Sequence, residues 1–286
     1  MKKLFSKKNP LFMIGIIVFT LIVLGTLIIP ECTNEIWRHK DLTRDFEKPS
    51  AAHIYGTNEF GQDLFVGIWQ GGRTSLLMAV IGIIPYTLIG SSMGIIAGFW
   101  GKRIGFFISQ LMTFIYAMPL LPLIMMLGFV LYTFGLNESQ MVYVTILIYS
   151  IFSSPTLFKV IKAETIRLNS EEFMKAATLS GISKIRMIFK HLLPNLTGQI
   201  LVSAVQFTTQ ILILEMMLYF FGIAFKPLET PTWGSIIPNL DGPSTFREYY
   251  WLWLFPILTV AITTISLKFI SEGLRIAFDP KVENTY

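Results

Sequence analysis

The chain has 286 residues, is 53% hydrophobic and carries a formal net charge of +5, with a mean hydropathy of +0.60. Charged residues are only 14% of the total, against about 25% in an ordinary soluble domain, so the chain reads as an integral membrane protein. A basic balance this small fits basic loops beside a membrane, and no soluble surface interleaves aromatic and basic residues, which argues against nucleic-acid recognition.

The N-terminal MKKLFSKK leads into an uncharged run from Leu11 to Pro30. Its length suits a bilayer crossing and no small-x-small cleavage site follows, so a retained signal-anchor helix is expected. Cys32 is the one cysteine, which excludes an intramolecular disulfide; it reads as an inert small residue near the membrane surface. From Glu31 to Gly72 the chain is polar, with seven acidic and four basic residues. A second span is expected over Thr74–Trp100, then a short basic turn at Lys102 and Arg103. A third runs from Gly105 to Phe134 and holds Pro119 and Pro122, which predict a kink. Asn137 and Glu138 form a turn before a fourth span, Met141–Phe158.

A charged stretch follows, EEFMKAATLSGISKIRMIFKHLLPN, from Glu171 to Asn195. Glu171–Ser180 reads as a helix with Phe173, Ala176, Ala177 and Ser180 on one face and Ser170 as its N-cap. Gly181 falls where glycine ends helices. A second helix is expected over Ile182–Leu193, with Ile185, Ile188, Phe189 and Leu192 on one face and Lys184, Arg186 and Lys190 elsewhere. Such a hairpin could lie on anionic lipid, but a face built on two alanines is thin and suits close approach of another backbone. A fifth span is expected over Leu196–Phe221. A loop with Trp233 and Gly234 covers Lys226–Tyr250, and a sixth span covers Trp251–Ile270.

Six spans place both termini on one side. The N-terminal lysines, Lys102 and Arg103, and the seven basic residues between spans four and five share that side; together they are thirteen of the 23 Lys and Arg. The positive-inside rule makes it the cytoplasm.

Glu172, Ala176-Ala177, Gly181 and Leu193-Pro194 resemble the cytoplasmic EAA loop of ABC importer permeases, and His191-Leu192-Leu193-Pro194-Asn195 is similar to the HxLPN ending of the oligopeptide, dipeptide and nickel branch. Lys175 stands where the general motif has glutamate. Tyr55–Asp63 resembles the LGTDxxGRD segment of the C-type subunit, with Asn58 replacing aspartate and Gln62 replacing arginine, so the arginine's ion pair is expected to be missing. Gly71–Leu76 resembles GARxSL, Pro231–Gly234 resembles PxWG, and Glu272–Arg275 with Asp279-Pro280 resembles DGLRDxxDP.

The resemblance implies an all-α polytopic protein with a MetI-like type I importer core. Residues 1–72 would form an N-terminal helix and extracellular segment, 73–276 a five-helix core with coupling helices at 171–193, and 277–286 a cytoplasmic tail. It further implies a peptide importer in a bacterial plasma membrane. The partners would be a related B-type permease, two cytoplasmic ATP-binding subunits, a substrate-binding protein and membrane lipid. A nickel or metal-chelate importer is the alternative, and a scaffold or channel without an ATPase a distant third. The chain has no GxxxxGK[ST] loop and no nucleophile–base set, so ATP hydrolysis is expected in the partners, and no cofactor or metal is expected here.

Glu172, Ala176, Ala177, Gly181, His191, Leu193 and Pro194 are the expected ATPase-coupling residues. His191 reads equally as a contact or clamp and as a C-terminal histidine serving the helix dipole. Glu215 lies inside span five, where an ionisable group costs about 2.5–3.5 kcal/mol; it is expected at a pathway or gate, against a plain hydrogen bond to a neighbouring helix. Trp233, Trp251 and Trp253 are expected as interfacial anchors, with Trp233 and Gly234 near the outer mouth where a binding protein docks. His39 and His53 lack metal-site spacing.

Overall fold

In the computed structural model, which describes residues 10–33, 37, 40–136, 138–220, 231–237 and 243–278, the apolar runs fold as helices and the described residues form no strand. The N-terminal lysines, His39, Asn137, Lys226 and the Asp279-Pro280 pair lie outside the described residues.

Helix α1, Pro10–Cys32, crosses α9, Trp251–Phe278, through small-residue contacts. A Cβ on Gly15 would sit 2.7 Å from the Ser266 carbonyl oxygen, and one on Gly273 would strike Phe12. Helix α2 runs Leu64–Phe99, starting before the expected Thr74, so the expected boundary after residue 72 falls inside it. Asp63 explains the early start: its carboxylate accepts from the Val66 N–H at 3.1 Å and caps the helix. Gly90, Gly94 and Gly98 repeat every four residues along α2. They press against Leu157, Ile161 and Thr165 of α5, Glu138–Asn169, the close approach that small residues permit between spanning helices.

The third span is broken. Helix α3, Lys102–Ala117, and α4, Leu120–Thr133, meet at a bend of 70°. Met118 and Pro119 occupy the break, and proline's missing N–H and fixed φ account for it. With this pair counted as one span, the described helices supply six.

Helix α6 covers Glu172–Leu179. The following helix, α7, is continuous over Lys184–Phe220, so the expected second cytoplasmic helix and the fifth span are one element. Pro194 does not interrupt it. A proline there has no N–H to give and crowds the carbonyl four residues back. The chain answers with a π-turn over Ile188–Leu192, in which the Leu193 N–H reaches the Ile188 oxygen five residues back. A short helix α8, Pro243–Glu248, precedes α9.

In the centre, Tyr86 of α2 stacks on Phe207 of α7 at 3.9 Å, Tyr149 of α5 stacks on the same ring at 5.7 Å, and the Tyr86 hydroxyl meets Thr156 at 3.2 Å. One core thus ties the three helices together. At one end, tryptophans sit on glycines: Trp69 on Gly25, Trp37 on Gly67, Trp233 on Gly72 and Trp251 on Gly56.

Candidate functional site

Two regions at opposite ends of α7 carry the residues singled out by the sequence. At the basic end, Arg167 closes α5 by bonding Glu164 and reaching Glu171 at 2.9 Å, which fixes where the next helix begins. Glu171 is the N-cap residue of α6, not Ser170, whose hydroxyl donates back to the Arg167 carbonyl. Glu172 stands exposed in the first turn, suiting the positive end of the helix dipole.

Gly181 ends α6 as expected. Its φ is +74°, its N–H donates to the Thr178 oxygen at 3.1 Å, and the Ile182 N–H donates to the Ala177 oxygen at 3.2 Å. This pair of bonds is a Schellman ending, which only a residue at ease in the left-handed region accommodates without strain.

The alanines divide, contrary to the single face expected. Ala177 is buried with Met174 against Met187, while Ala176 faces outward with Phe173 and Ser180. Three apolar side chains protrude here: Leu179 is 89% exposed, and Ile185 and Phe189 each 66%. A hollow of about 580 Å³ beside them is lined by Phe99, Asn169, Met174, Lys175 and Lys184.

His191 lies in the π-turn with its ring 6.4 Å from that of Phe173, so it links α6 to the root of α7. Its Nε2 is buried without a hydrogen-bond partner among the described residues, and its carbonyl accepts from Asn195 at 2.6 Å. Leu193 is half-buried and Pro194 exposed in the next turn.

At the far end of α7, Glu215 is only 1% exposed. Its Oε1 accepts from the Ser75 hydroxyl at 3.0 Å and the Gly234 N–H at 3.1 Å. Ser75 in turn accepts from the Trp233 N–H at 3.0 Å, and the Trp233 indole N–H donates to the Ile68 carbonyl at 2.9 Å. Thr232 and Ser235 close the turn by reciprocal bonds at 2.8 and 3.1 Å.

Glu215 therefore binds neighbouring elements and is enclosed among the described residues. Trp233 is 1% exposed and Trp251 is fully buried, its indole bonded to the Thr57 carbonyl at 3.2 Å, so neither is an interfacial anchor. Gly234 is buried against Tyr219 and Met216, so the Trp233-Gly234 pair offers no surface at an outer mouth.

Two features escaped the sequence reading. His53 is buried, with Nδ1 at 2.8 Å from the Asp63 carboxylate that caps α2 and Nε2 at 3.7 Å from Glu47. Asn58 and Gln62 pair through their amides at 2.8 Å, a neutral hydrogen bond between two buried side chains. Among the described residues no group of three His, Cys, Asp or Glu side chains could hold a metal.

Five helices long and apolar enough to cross a membrane, or six with the broken pair counted as one span, make this a multi-pass helical membrane protein. The chain belongs to the family of binding-protein-dependent transport system inner membrane components, whose model matches residues 90–284. It is similar to the dipeptide transport system permease protein DppC of Alkalihalophilus pseudofirmus, with 29% identity over 97% of this chain and 88% of that protein. It is also similar to the oligopeptide transport system permease protein OppC of Bacillus subtilis, with 28% identity over 96% of this chain and 87% of that one.

Proposed function

We propose that this chain is the permease subunit of an ATP-driven importer for peptides, and that it forms half of the translocation pathway beside a related, non-identical permease. Two cytoplasmic ATPases would power it and an extracellular or periplasmic binding protein would deliver substrate. ATP chemistry lies with those partners. Both termini and α6 face the cytoplasm on this reading, which rests on the basic residues gathered on that side.

One observation carries the proposal. The chain displays Leu179 at the end of the short helix α6, and Ile185 and Phe189 in the first turns of the 37-residue helix α7 that follows it, all beyond the core. Exposed apolar groups rimmed by Lys175, Lys184, Arg186 and Lys190 mark a partner surface. A partner that shifts α6 shifts α7 with it, and α7 reaches Glu215 and the Trp233 loop. Closure of the ATPases is thereby transmitted as a rigid-body movement to the opposite side. A scaffold or a channel has no use for such a lever, and the relatives named above are peptide permeases.

The test is uptake by cells lacking this chain, with labelled short peptides compared against free and chelated nickel. Loss of peptide uptake alone, restored by the unmodified chain and not by Gly181→Pro or Leu179→Glu, supports the proposal. Loss of nickel uptake alone moves the substrate to metal, and no loss of either overturns it.

A further inference from the structure

Among the exposed apolar side chains of α3, such as Phe107, Leu111 and Phe114, the broken third span also presents a row of polar groups. Gln110, Thr113 and Tyr116 are exposed at three-residue spacing along α3, and Thr156 and Lys159 are exposed on the adjoining stretch of α5. The Lys159 ammonium rests 3.4 Å from the centre of the Tyr116 ring, which itself is 54% exposed. Lys162, one turn away, donates to the Ser109 hydroxyl at 2.6 Å. Neither lysine has a carboxylate partner among the described residues.

The direction of Lys159 separates it from a lysine that reaches for lipid headgroups. It lies about 15 Å in from Asn169 at the rise of an α-helix. The two lysines are one turn apart on α5, about 4.5 Å, but the α3 residues they meet are two turns apart, about 10 Å. Lys159 thus extends toward the break at Met118-Pro119, away from the end that carries Arg167. A lipid-facing ammonium would turn the other way. An ionisable group held inward at this depth faces a water-filled cavity or a protein partner, and a span broken inside the membrane is a place where transporters build substrate sites.

We propose that Lys159 recognises the C-terminal carboxylate of a peptide in transit, with Tyr116 holding the ammonium in place and Gln110, Thr113 and Thr156 wetting the same face. This rests on the peptide-importer reading and names the substrate group that the pathway reads. A carboxylate supplies the negative charge that the described residues do not place beside Lys159, and it leaves the cation available to the next substrate.

The experiment uses the complete transporter in proteoliposomes, with its binding protein and ATPases. A short labelled peptide is compared with its C-terminal amide, each at saturating binding protein whose affinity for both is measured separately. Lys159→Gln is expected to lower transport of the free acid by roughly ten- to a hundredfold, the worth of one hydrogen bond to a charged group, with amide transport and basal ATPase activity unchanged. Lys159→Arg is expected to preserve free-acid transport. Equal loss for acid and amide would assign Lys159 to completing the C-terminal end of α3 and overturn the proposal, as would no loss for either. Failure of the unmodified transporter to carry either peptide would overturn the peptide reading itself, an outcome seen before any variant is compared.

Discussion

Ser75 of α2 and Glu215 of α7 meet at 3.0 Å in the closed interior, and through that contact two spanning helices share one loop. Ser75 donates to the carboxylate while accepting from the Trp233 N–H, and the same carboxylate oxygen takes the Gly234 N–H. Two backbone donors that would otherwise be buried and unpaired are thereby satisfied. Glu215→Ala removes the acceptor, and each donor left without a partner costs about 1–3 kcal/mol. The assembled transporter should denature at lower temperature and lose uptake. Glu215→Gln keeps an oxygen for Ser75 and Gly234, so it should retain assembly and uptake within a few-fold. Thermal denaturation of the purified complex beside uptake checks this. A glutamine variant as damaged as the alanine variant would show that the charge, rather than the acceptor, is what the loop needs.

Gly181 predicts a backbone effect free of steric confusion. A Cβ there meets nothing within 4 Å, yet φ is +74°. Gly181→Ala should therefore cost about 1–2 kcal/mol in the α6 ending through conformation alone, and Gly181→Asn less, since asparagine tolerates the left-handed region. The predicted order of ATP-driven uptake is glycine, asparagine, alanine, with proline lowest because its φ is fixed near −65°. Alanine matching glycine would mean the Schellman ending does not set the α6 angle.

Leu179 and Ile185 test the docking surface separately from the fold. At 89% and 66% exposure they contribute little to the isolated chain, and surface changes of this kind stay within about 0.5 kcal/mol. Leu179→Glu and Ile185→Glu should leave expression and membrane insertion unchanged while reducing co-purification of the ATPase subunits at least tenfold. Burial of Leu179 against a partner is worth several times RT, which is enough for that loss. Intact co-purification would move the docking surface elsewhere.

Hydropathy located the six crossings because long uncharged runs have few other destinations in a chain this apolar. It misplaced the start of α2, because Gly67, Gly71 and Gly72 read as a polar approach when each is a seat for Trp37, the Thr232–Ile236 turn or Trp233. It separated α7 into two helices because Pro194 signals a break, whereas a π-turn absorbs the missing donor. The α6 helix and its glycine ending were legible, but which alanine faces out depends on where Met187 returns, a tertiary fact. Tryptophan near a span end suggests an interfacial anchor; Trp233 and Trp251 found carbonyl partners inside instead. The link between His53 and Asp63 joins residues whose spacing carries no recognised pattern.

The Asn58–Gln62 pair yields a coupling that neither residue shows alone. The Asn58 amide nitrogen donates to Gln62 Oε1 at 2.8 Å, its oxygen accepts from the Phe60 and Gln62 N–H groups at 2.9 and 3.0 Å, and the Gln62 amide donates to the Trp37 carbonyl. Both side chains are buried, at 7% and 4% exposure. Asn58→Asp sets a carboxylate against Gln62 Oε1, two acceptors facing each other, and Gln62 cannot flip its amide without losing Trp37. Gln62→Arg places an unpaired cation in the same closed space. Each single change should destabilise the segment around residues 40–63 by about 1–3 kcal/mol. The double change restores a donor facing an acceptor, so its effect should fall below the sum of the singles by at least about 1 kcal/mol. Protease resistance of the segment around residues 40–63, measured for both singles and the double, reads this out. Strict additivity would mean that the two amides hold the segment independently.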